Sequence, residues 1–70
     1  MKITIKTVKA NPDLATQENF NKKKDRKYWS VRYEMVKANP ELATQKNFNK
    51  EEDEFVRSKM TKLNPNLKDN

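Results

Sequence analysis

Seventy residues carry sixteen Lys and Arg against ten Asp and Glu, a formal charge of +6, with neither cysteine nor histidine. That length allows one small domain with one thin core. Without Cys or His there is no disulfide, no usual zinc ligand set and no Ser-His or Cys-His catalysis, so neither an enzyme nor a cofactor is expected. The longest apolar runs are two or three residues, too short for a membrane span or a signal-peptide core. The expectation is a cytoplasmic protein and a complete short reading frame.

Met1 to Val8, MKITIKTV, alternates Ile3 and Ile5 with Lys2, Thr4 and Lys6, which predicts a strand. Asn11-Pro12-Asp13 then offers type I turn chemistry, suited to a hairpin, and equally an N-cap with Pro at the first helical position. Leu14 to Phe20 is left open between a second strand and a two-turn helix. A partner for the first strand favours the strand. Asn21 to Lys27, NKKKDRK, holds five basic residues and is predicted to be a loop. Three lysines at a helix start would oppose the helix dipole.

Lys27 to Lys37, KYWSVRYEMVK, carries the cleanest alternation. Trp29, Val31, Tyr33 and Met35 fall on one parity, and Tyr28, Ser30, Arg32 and Glu34 on the other. Period two predicts a central strand with Trp29 and Tyr33 in the core. A helix over 22–38 would place Arg32 among apolar groups and fits less well. A second NP turn follows at Asn39-Pro40-Glu41, and Leu42 to Phe48 repeats the ambiguous segment. Asn49 caps a C-terminal helix over about 50–63, with Glu52 in the capping-box position and Val56, Met60 and Leu63 as its stripe. Residues 64–70 form a tail.

The chain also repeats itself. Val8 to Asp25 matches Val36 to Asp53 at fourteen of eighteen positions with an offset of 28, and KLNPNL from Lys62 echoes the centre. The copies differ at Lys23-Lys24 against Glu51-Glu52. Two copies are few for a solenoid, so the expectation is one domain, 1–70, with related halves at 8–25 and 36–53. The fold class expected is α+β: a small antiparallel sheet from two hairpins packed on one C-terminal helix. The alternative is two strands with three short helices.

YWSVRYEM followed by a polar hairpin and by Phe48-Asn49-Lys50-Glu51-Glu52 opening a helix resembles the arm-type DNA-binding domain of tyrosine integrases. The resemblance covers Lys27 to Leu63. Asn47 stands where that family usually has glycine, and the linked catalytic domain is missing. The resemblance implies a sheet in the major groove, with Arg32 and Tyr28 at positions that touch DNA.

The residue chemistry points the same way. Residues 1–50 hold twelve Lys and Arg against five Asp and Glu, whereas 51–70 hold four against five. Such a basic face expects an anionic partner, either nucleic acid or an acidic protein, and no membrane. On the outward sheet face, Lys2, Lys6, Gln17, Tyr28, Arg32 and Gln45 would meet base edges. Lys22, Lys23, Lys24, Arg26 and Lys27 would meet phosphates. DNA binding is the first functional expectation. A protein-interaction module or inhibitor of the phage or mobile-element kind, on an acidic partner, is the second. The Lys23-Lys24 and Glu51-Glu52 contrast also allows a head-to-tail homodimer.

Overall fold

The computed structural model describes residues 2–69. Met1 and Asn70, the ends of the expected first strand and of the tail, lie outside them. The described residues form no strand, so the expected sheet and both hairpins are overturned. The fold is all-α, with five helices: α1 (Ile5–Ala10), α2 (Gln17–Lys22), α3 (Trp29–Ala38), α4 (Gln45–Lys50) and α5 (Glu54–Leu63). Short 3-10 turns at Pro12–Leu14, Arg26–Tyr28 and Pro40–Leu42 join them.

Local chemistry explains each helix start. Thr4 and Thr7 form a reciprocal capping box on α1, which satisfies two donors that a helix start leaves orphaned. Asn11 and Asn39 accept from the amides of Asp13 and Glu41, so the NP motifs start 3-10 turns and close no hairpin. Thr16 and Thr44 then cap α2 and α4. The C-terminal helix begins later than the sequence predicts. Asp53, accepting from the amides of Phe55 and Val56, is its cap, and Asn49 lies inside α4. Lys22 sits in the last turn of α2, where positive charge suits the dipole it would have opposed at the start.

The misleading alternation lay in α3. Its buried residues are Val31, Arg32, Met35 and Val36, the one-sided stripe of a helix. The apolar parity was a coincidence of composition: Trp29 is exposed and Tyr33 half-buried, while Arg32 from the polar parity is enclosed.

The repeat is a structural unit of helix, NP turn and short helix. α1 with α2 makes the first copy and α3 with α4 the second. A third begins as α5 and Asn64-Pro65, now at an offset of 25. α3 packs between α1 and α5. Equivalent side chains stitch successive copies. Asn39 Nδ2 donates to the Ala15 carbonyl at 2.7 Å, and Asn64 Nδ2 to the Ala43 carbonyl at 2.8 Å. Gln17 and Asn47 exchange two amide hydrogen bonds at 2.9 and 2.8 Å, and Gln45 does the same with the main chain of Lys68 at 2.8 and 2.9 Å. These neighbour-to-neighbour contacts follow the logic of a repeat array, although two and a part copies seemed few for one.

The core runs through all three copies: Ile3 and Val8 from the first helical layer, Phe20 and Phe48 from the short helices, and Val31, Met35, Val36, Leu42, Val56 and Met60. Of the expected core residues, Ile5, Leu14 and Tyr33 only pack at its edge, and Leu63 is exposed.

Candidate functional site

The expected base-reading face does not assemble. Arg32 is the clearest correction. Its side chain and that of Glu51 are 4% and 2% exposed and form a bidentate pair, Nε to Oε1 at 2.8 Å and Nη2 to Oε2 at 2.9 Å. Arg32 Nη1 also donates to the carbonyls of Lys23 and Asp25, closing the chain beyond the C-terminus of α2. Arg57 repeats this for α4, donating to the Phe48 and Glu51 carbonyls at 2.7 and 2.9 Å. A buried, four-bonded arginine reads no base. Gln17 and Gln45 are likewise held in the bonds that join copies.

The lysine corner survives in altered form. Lys22 and Lys24 are exposed. The amines of Lys23 and Lys27 lie 4.5 and 5.3 Å from the Tyr28 ring centre, two cation-π contacts on one half-buried ring. Arg26 bonds Glu52 at 2.7 Å on the surface. That hydrogen bond, with the carboxylate's charge, raises the pKa of the guanidinium further. Lys2 and Lys6 are exposed at and before α1, away from any sheet. The acidic run Glu51 to Glu54 is also accounted for. Glu51 faces Arg32, Glu52 faces Arg26, and Asp53 caps α5. Glu51 and Glu52 are therefore both engaged with arginines within the chain.

What sequence reasoning missed is an exposed aromatic pair. Trp29 on α3 and Phe55 on α5 are 39% and 62% exposed, yet their ring centres stand 5.6 Å apart at 33°. They line a groove of about 320 Å³ with Ile5, Tyr33 and Lys9. Lys59 lies 5.9 Å from the Tyr33 ring centre. Ser30 and Glu34 supply polar edge groups. The signal available in the sequence was Phe55, which falls beside the stripe of Val56 and Met60 and so has no core position of its own.

Position explains the exposure. The third copy starts on α5, one helix beyond α3, and places Phe55 on the same side of the layer as Trp29 and Ile5. The charge at the groove is mixed: Lys9 and Glu34 line it and Lys59 lies beside Tyr33, while Arg26, Glu52, Asp53 and Glu54 line an adjoining pocket on the other side of Phe55. A groove of this kind can hold an apolar anchor and set carboxylates against Lys9 and Lys59. Among the described residues, no group of three or more Asp and Glu is placed to hold a metal ion, and no helix is long and apolar enough to cross a membrane. Compared with family models, curated proteins and solved structures, the chain matches none.

Proposed function

We propose that this chain is a non-enzymatic protein-interaction module, docking an acidic segment of a partner protein on the Trp29–Phe55 groove. The observation that carries this is the pairing of two large aromatic rings in the open. Aromatic rings supply much of the energy of protein interfaces when a partner desolvates them. Lys9 in the groove and Lys59 beside Tyr33 favour carboxylates at the rim, which speed and orient association more than they tighten it. The cysteine-free sequence suits a cytoplasmic setting.

The test is a selection from a displayed peptide library, run against the full chain. Peptides joining an aromatic or aliphatic anchor to flanking Asp and Glu should be enriched. Trp29→Ala should weaken them by tenfold or more while the helical circular dichroism persists. Enrichment that ignores Trp29→Ala and Phe55→Ala overturns the proposal, as does a selection with no consensus.

A second function rests on Lys22, Lys24 and Lys27, which leave three cations at the turn between α2 and α3. These support a phosphate-binding corner for nucleic acid without base reading. Anisotropy titration with a duplex and a single strand at two salt concentrations separates the two functions. Phosphate binding collapses steeply with salt and requires these lysines but not Trp29.

A further inference from the structure

We infer that the cleft between α2 and α4 is a binding site for a small oxyanion, a carboxylate or a phosphate. It is independent of the docking proposal and shares no residue with the Trp29–Phe55 groove. The cleft has a volume of about 330 Å³, within the range of roughly 300–1,000 Å³ of small-molecule sites. Phe20, Asn21, Lys24, Asn47 and Lys50 line it, although Asn47 Nδ2 donates to Gln17 Oε1 and the Leu42 carbonyl.

Charge decides the ligand class. Both carboxylates that line the cleft already face arginines that line it: Glu51 with Arg32, and Glu52 with Arg26. Lys24 and Lys50 remain, without an anion of their own among the described residues. Lys24 follows α2 and Lys50 ends α4, so two cations from successive copies share one cleft. The polar groups add donors. Asn21 accepts through Oδ1 from Gln17 at 2.8 Å, which leaves its NH₂ to donate. Four of the five Arg32 N–H donors meet acceptors, and the fifth belongs to a buried side chain lining the cleft. Donors and uncompensated positive charge around an aromatic wall favour an oxyanion over a cation or a neutral apolar molecule.

The experiment is a two-dimensional amide NMR titration of the full chain with inorganic phosphate and, separately, with succinate. Sodium chloride at matched ionic strength is the control. Saturable shifts at the side-chain amides of Asn21 and Asn47 are expected with one or both anions and not with chloride. A response to phosphate alone assigns a phosphoryl ligand, and to succinate alone a carboxylate. Lys24→Ala with Lys50→Ala should weaken binding by at least tenfold, and Lys24→Gln with Lys50→Gln should do the same with the long stems retained. Lys68→Ala, outside both the cleft and the groove, should change nothing. Shifts that never saturate, that chloride reproduces, or that survive both double substitutions overturn the assignment. So does a chain that binds duplex DNA through Lys24 and Lys50 and ignores both small anions.

Discussion

Removing the Glu51 carboxylate should come close to unfolding the protein. Glu51→Ala leaves the Arg32 guanidinium enclosed without its counter-charge, and leaves the Asp53 amide without the Glu51 oxygen 3.1 Å away. Breaking one partner of a buried pair costs about 3–5 kcal/mol. A 70-residue domain has about 3.5–10 kcal/mol in total at the usual stability per residue. The variant should therefore unfold at much lower urea than the parent, followed by helical circular dichroism with the slope unchanged. Arg32→Met combined with Glu51→Leu should recover part of the loss, because no charge is then stranded. The remaining deficit is the uncovered carbonyls of Lys23 and Asp25 and the Asp53 amide, at about 1 kcal/mol each. Glu52→Ala, at the exposed pair with Arg26, is the contrasting silent change. A loss below about 1 kcal/mol for Glu51→Ala would refute the reasoning, since exposed pairs behave that way. It would equally restore Arg32 to a surface role.

The repeat supplies an internal control for the second prediction. Asn39→Ala removes both a turn cap and the bond to Ala15, and should cost about 1–3 kcal/mol, whereas Asn11→Ala in the same KANP context removes only the cap and should cost about 1 kcal/mol or less by urea unfolding. Equal losses would mean that the bond between copies contributes nothing. Trp29 should emit at long wavelength and be quenched efficiently by iodide, drawn in by the neighbouring lysines. A shielded, blue-shifted emission would return it to the core.

Much of the local chemistry was legible in the sequence, but its assembly was not. The duplication, the NP motifs and the basic first half could all be read directly. The helical option at Leu14–Phe20 and Leu42–Phe48 was also visible, and its weak β-propensity was the better guide. The failure at α3 has a physical cause. A helix that encloses an arginine looks wrong on a wheel unless its carboxylate is known, and Glu51 lies nineteen residues further on. With Arg32 barred from the interior, alternation looked cleaner than a helical stripe. The same error hid the aromatic groove, because a strand parity assigned Trp29 to the core. The short helices α2 and α4 were hard for a related reason. Six residues cannot hold a helix alone, and what holds these two lies in other copies: the arginine covers at their ends and the Gln17–Asn47 exchange.

The difference between the copies then acquires a cause. Position 51 lies nineteen residues after Arg32, and position 23 nineteen after Thr4. Where the helix carries arginine, the later position is Glu51, enclosed with it. Where the helix carries Thr4, which caps α1, the later position is Lys23, half-buried with its amine over Tyr28. A carboxylate at position 23 would face no arginine of its own copy, because Thr4 stands where the second copy has Arg32. Each pair is thus consistent within its copy: an ion pair between neighbours in the interior, and a cap with a surface lysine at the first helix. The basic excess of residues 1–50 is in part the trace of this exchange, with Lys23 and Lys24 standing where the second copy has Glu51 and Glu52. That charge has an origin in how the copies pair internally. Trp29 and Phe55 neither cover a buried charge nor cap a helix, so the Trp29–Phe55 groove carries the functional proposal.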